Sequence, residues 1–193
     1  MPEDRTAWRN PDGDGPGIAI VITGPVGAGK TTTAIALSER LEHIQVPHAM
    51  IDMDHLRWAW PAPPGDRFHA RLGMRNLAAV SAAYREAGAR VLVIADVVET
   101  PEDRAHYEHA IPGKRVVIVR LRVPPDLIVQ RLHGRDTGDQ LTWSLNRALE
   151  LEGIMDAAGI GTAPGDLVVE VGAQPFEAVA AEIAARLGLV EGL

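Results

Sequence analysis

No cysteine occurs among the 193 residues. That excludes a disulfide framework, a thiolate zinc site and a cysteine nucleophile. Aromatic residues are scarce, 4% of the chain, while alanine is frequent, a balance that suits closely packed helices. No long apolar run is present, and the opening Met1-Pro2-Glu3-Asp4 is acidic. Neither a signal peptide nor a membrane-spanning helix is expected, and cytoplasmic residence is. Basic residues are outnumbered, with a net charge of −7, which weighs against a general nucleic-acid surface but leaves room for a local basic groove.

Residues 1–17 centre on Asn10-Pro11-Asp12-Gly13-Asp14-Gly15 and read as a flexible tail. Residues 18–193 are then expected to form a single domain, as a monomer or homodimer. A chain of this length buries roughly 70% of its unfolded surface in one core.

What is present is a phosphate-binding motif. Gly24-Pro25-Val26-Gly27-Ala28-Gly29-Lys30-Thr31 reads G-x-x-x-x-G-K-T and follows the apolar run Ile18-Ala19-Ile20-Val21-Ile22-Thr23. Glycines 24, 27 and 29 let the backbone turn its N–H groups, including those of Ala28 and Thr32, around a phosphate chain. A following helix adds its positive end. Lys30 can reach β- and γ-phosphates, and the Thr31 hydroxyl can ligate Mg²⁺. ATP and Mg²⁺ are therefore the expected cofactors.

Five strand candidates appear: 18–23, about 48–51 ending at Asp52, 91–95, 116–119 and 167–171. Several are unbroken apolar runs, the pattern of parallel strands covered on both faces. Helical spacing fits 30–43, 67–87 as one helix or a pair, 125–133, about 140–158 and 176–187. The alternation predicts an α/β, doubly wound fold: three layers, a five-stranded parallel sheet, helices on both faces and a small lid. Ligands then bind beyond the carboxyl ends of the strands.

Chemistry-bearing residues stand at those ends. Asp52-Met53-Asp54-His55-Leu56-Arg57 closes the second strand. In extended chain Asp52 and Asp54 share a face. Asp54 is the candidate base or metal partner and Asp52 a supporting acid beside the substrate. Arg57 could grip an anionic acceptor. Helix capping at Asp54 is the plainer alternative. Asp96, after the third strand, sits where P-loop proteins place a Mg²⁺ contact, and Glu99 could instead face the acceptor. Arg131 and Arg135, four apart, share a helical face before the polar stretch Asp136-Thr137-Gly138-Asp139, an expected flexible loop. Arg135 is expected over the γ-phosphate, with Arg131 beside the nucleotide. Trp58 and Trp60 either wall an acceptor pocket or plug the space beside the next helix. His106 and His109 have metal-ligand spacing but no completing group, and read as surface residues.

The layout from 18 to 188 resembles the nucleotide-kinase-like P-loop group that includes adenylylsulfate kinase, chloramphenicol phosphotransferase, gluconate kinase and the zeta-toxin kinases. Ile51–Arg57 is similar to the adenylylsulfate kinase pattern D-G-D-N-x-R, which would make Asp54 a catalytic acid and Arg57 a substrate contact. Residues 87–97 look like the corresponding stretch of chloramphenicol phosphotransferase. His55 replaces the usual asparagine, Val97-Val98-Glu99-Thr100-Pro101 stands in place of I-S-P-x-R, and the K-G-L-Y lid segment is absent. The resemblance implies a kinase that moves the γ-phosphate of ATP to a hydroxyl of a small-molecule acceptor, of antibiotic, nucleoside, nucleotide or sugar type. Lys30, Asp54 and Arg135 would be its catalytic residues. The alternative is an ATPase or nucleotide switch acting through a protein partner.

Overall fold

The computed structural model describes residues 17–189. The expected tail, apart from Gly17, lies outside them. In chain order the elements are β1 (Ile18–Thr23), α1 (Lys30–His43), β2 (His48–Asp52), α2 (Met53–Arg57), a 3-10 turn (Arg67–His69), α3 (Ala70–Glu86), β3 (Val91–Ala95), α4 (Asp103–Ala110), β4 (Arg115–Arg122), α5 (Pro125–Arg135), α6 (Gly138–Ala157), β5 (Leu167–Glu170) and α7 (Phe176–Arg186). The sheet is wholly parallel, in the order β2-β3-β1-β4-β5. The expected three-layer α/β fold is thus the observed one.

Two apolar layers explain the unbroken strand runs. Ile18, Ile20 and Ile22 of β1 join Leu37 and Leu41 of α1 and Val179 and Ile183 of α7 on one face. Ala19 and Val21, pointing the other way, join Leu77 of α3, Tyr107 of α4 and Leu151 and Met155 of α6. A strand buried on both sides is apolar at nearly every position, unless a buried polar group finds a partner.

The boundaries shift where polar residues are buried. β4 runs on through Arg120, only 1% exposed, whose charge meets Glu152 at 3.1 Å and Asp156 at 2.9 Å on α6. An apolar-run criterion stops at Val119 because it cannot see those partners. Helix α2 fits the capping alternative, but with Asp52 in place of Asp54 as its cap. The Asp52 Oδ1 accepts the Asp54 N–H at 2.9 Å. The expected helix over 67–87 divides at Phe68 and His69, both with positive φ, and Asp66 caps α3 by accepting the N–H groups of Arg71 and Leu72. The expected flexible loop 136–139 shrinks to Asp136 and Thr137, because α6 already begins at Gly138.

β1 is the switch point: its neighbours β3 and β4 lead the chain to opposite sides. The crevice beyond its carboxyl end is where ligands collect in such sheets. No helix among the described residues is long and apolar enough to cross a membrane.

Candidate active site

The G-x-x-x-x-G-K-T loop leaves β1 and enters α1. Gly24, Gly27 and Gly29 all have positive φ. At Gly29 the requirement is double: φ is 92° and an added Cβ would lie 2.4 Å from the Phe176 ring. The Lys30 ammonium turns back over the loop and donates to the Gly24 and Pro25 carbonyls, both at 3.1 Å. Desolvation pulls its pKa down to about 8, against the opposing pull of Asp54, Asp96 and Asp52. Thr31 donates its hydroxyl to Asp52 Oδ2 at 2.8 Å. Asp52 thereby ties the start of α1 to the start of α2.

Asp54 is in helix α2, so the extended-chain parity with Asp52 does not apply; its side chain is 90% exposed and stands 3.8 Å from Arg57 Nη1. Arg57 points inward instead. Its Nη1 and Nη2 donate to the two Asp96 carboxylate oxygens, each at 2.7 Å. Asp96 also accepts the Val97 N–H at 2.7 Å and the Tyr107 hydroxyl at 2.5 Å, and its side chain is 1% exposed. Each oxygen therefore holds two donors, and Asp96 acts in this structure as a clamp on Arg57. Burial, then the Asp96 charge, holds the Tyr107 phenol well above its usual pKa, so it remains a donor. Gly73 of α3 makes room for this arrangement, since a Cβ there would lie 2.8 Å from Arg57 Cγ.

From the other side, α5 and α6 bring arginines. Arg131 donates to the Ala28 carbonyl at 3.1 Å and lies 5.1 Å over the Phe176 ring. Arg135 is turned onto its neighbour, donating through Nε and Nη2 to Asp136 at 2.8 Å each. Ser144 donates to the same carboxylate at 2.6 Å. The Arg135 hydrogen bond, then that of Ser144, brings the Asp136 pKa down to about 2. Arg147 of α6 pairs with Glu99 and, at 2.7 Å, with Glu150.

Lys30, Thr31, Asp52, Asp54, Arg57, Asp96, Glu99, Tyr107, Arg131, Arg135, Arg147 and Phe176 line one cleft of about 1340 Å³, together with Gly27, Thr32, His106 and His109. Among the described residues, no group of three or more His, Cys, Asp or Glu could hold a metal ion. At the start of α1 the cleft offers a cation the Thr31 hydroxyl and the adjoining Asp52 carboxylate. That sparse oxygen pair suits Mg²⁺, which keeps its waters and takes further oxygens from phosphates.

One reading of the loops needs correction. Trp58 and Trp60 neither wall the pocket nor plug the fold: they are 86% and 92% exposed and do not line the cleft. The stretch after β5 forms a local turn, with Gly172 N–H donating to Gln174 Oε1, and what reaches the phosphate loop is Phe176. Sequence reasoning missed Tyr107, Arg147 and Phe176. The helical spacing over 176–187 gave Phe176 no role at the site, and Tyr107 lay hidden between two histidines.

The AAA domain family matches residues 20–152. None of the curated proteins matches the chain. Among solved structures, the chain is similar to the tunicamycin resistance protein of Deinococcus radiodurans, at 22% identity and a TM-score of 0.65, over 92% of this chain and 99% of that one. It is similar to a gluconokinase from Sinorhizobium meliloti 1021, at 23% identity and a TM-score of 0.58, over 90% and 93%. A shikimate kinase from Acinetobacter baumannii, solved with shikimate, matches at 18% identity and a TM-score of 0.55, over 90% and 93%. These likenesses are of fold. The chain belongs to the AAA domain family and is built on the small P-loop kinase fold.

Proposed function

We propose that this protein is an ATP- and Mg²⁺-dependent kinase that phosphorylates a hydroxyl of a small molecule. One observation carries the reading: the phosphate loop and the exposed Asp54 carboxylate open into the same cleft, which has room for nucleotide and acceptor together. Lys30 exchanges the Gly24 and Pro25 carbonyls for the β- and γ-phosphates. Thr31 and, through water, Asp52 would hold Mg²⁺, which would neutralise phosphate charge. Asp54 orients the acceptor hydroxyl and takes its proton. The hydroxyl oxygen bonds to the γ-phosphorus, the bond to the β–γ bridging oxygen breaks, and ADP leaves. Arg135 leaves Asp136 to neutralise the transferring phosphoryl group, with Arg131 beside it. Asp96, expected from sequence at the metal, is assigned instead to holding Arg57. The kinase unit is 18–193, acting in the cytoplasm as a monomer or homodimer.

The reading predicts ADP release that depends on an added acceptor and stops with EDTA. A second reading, an ATPase driven by a protein partner, draws on the exposed indoles of Trp58 and Trp60. It predicts slow hydrolysis that no small molecule accelerates.

A further inference from the structure

Seven lysine and arginine side chains line the cleft, against five aspartates and glutamates, in a chain whose net charge is −7. Their partners sort them. Arg57 is held by Asp96, Arg71 faces Asp66 at 3.9 Å, Arg135 is held by Asp136, and Arg147 by Glu99 and Glu150. Lys30 and Arg131 rest on carbonyls of the phosphate loop, where the nucleotide's phosphates go. Arg75 is left. It has neither a hydrogen bond nor an ion pair among the described residues.

Arg75 lies on α3, on the same helical face as Arg71, Met74 and Ala78, at spacings of three and four. All four line the cleft. α6 contributes Trp143 to the same cleft, with its indole 52% exposed. The cleft that Asp54 lines therefore also holds one uncommitted guanidinium, together with apolar and aromatic surface.

Resting on the kinase reading above, we propose that the acceptor carries an anionic group, a carboxylate or a phosphate, and that Arg75 reads it. A guanidinium presents parallel N–H donors that match two oxygens of either group. An acceptor of this class is a hydroxyl compound with a ring or carbon skeleton to lie against Trp143 and Met74, and an oxyanion at its far end. Neutralised internal partners make Arg57 and Arg147 supports of the wall, while Arg75 sets specificity.

The test uses matched pairs of acceptors that differ in one group: hydroxy acids against their amides, and sugar or nucleoside monophosphates against the unphosphorylated compounds. Turnover is measured with the wild-type chain, Arg75→Gln and Arg75→Lys. The proposal expects the wild type to prefer the anionic member of a pair. In Arg75→Gln the KM for that member rises by about ten- to a hundredfold, the loss of a charged hydrogen-bonding partner. Arg75→Lys recovers part of the loss. Preference confined to acids identifies the carboxylate, and preference confined to phosphates identifies the phosphate. Equal use of both members by the wild type, or a preference that survives in Arg75→Gln, overturns the proposal. If no compound is phosphorylated, the kinase reading fails, and calorimetry decides this one separately. Binding of an anionic compound to the protein loaded with a non-hydrolysable ATP analogue, lost in Arg75→Gln, supports the subsite. No binding of any anionic compound overturns it.

Discussion

Lys30 is where the chemistry of a single side chain is most exposed to test. In this structure its ammonium is desolvated and rests on carbonyls, with a pKa of about 8 in place of 10.5. The charged form is therefore lost as pH rises through 8, and a bound polyphosphate must restore it. Affinity for ATP should fall by about tenfold between pH 7 and pH 9, with proton uptake on binding at the upper end. Calorimetry in buffers of different ionisation enthalpy measures both. Lys30→Arg, which does not titrate in this range, should flatten the profile. A wild-type affinity level across that range would contradict the assignment. Arg135 shows a different residue-scale device. Its guanidinium is parked on Asp136, whose charge persists to about pH 2, so reaching a phosphate means exchanging one anion for another.

Between elements, the decisive link is the end of β3 gripping α2. Asp96 binds Arg57, thirty-nine residues earlier in the chain, and Arg57 shares a five-residue helix with Asp54. So short a helix has little stability of its own. Asp96→Asn would leave Arg57 buried without its counter-charge. We expect a loss of about 3 kcal/mol in stability, seen by urea denaturation. We also expect a fall in kcat with the half-saturating Mg²⁺ concentration unchanged. A severalfold rise in that concentration would return Asp96 to the metal. The same link shows why part of the site could not be read from the chain. The phosphate loop is legible because its residues are contiguous and each glycine has a backbone reason. Asp52, Asp54 and Arg57 were legible as polar residues at a strand end. Their orientation was not, because α2 rotates Asp54 out and Arg57 in, and because the Asp96 and Tyr107 partners come from another strand and helix. Arg120 hid the end of β4 for a similar reason: its counter-charges lie on α6.

For the molecule as a whole, the sheet order was beyond reach of the sequence, but the layered fold was not. Unbroken apolar runs require cover on both faces, and helices between them supply it. The order puts β1 at the centre and opens the crevice at its carboxyl end, bringing the phosphate loop, α2, α3 and α6 to one cleft. Cationic side chains gather there although the chain is acidic, which favours entry of anions. The exposed Trp58 and Trp60 stand apart from that cleft and take no part in the proposed phosphoryl transfer.

The most direct measurement follows the γ-phosphate itself. Wild-type protein and Asp54→Asn are incubated with Mg²⁺, γ-labelled ATP and the acceptor panel, and the label is traced to acceptor or inorganic phosphate. Label should appear on an acceptor hydroxyl in the wild type, reduced by at least about a hundredfold in Asp54→Asn, as removal of a general base implies. Label appearing only as inorganic phosphate, at the same rate in both proteins, would contradict the kinase reading.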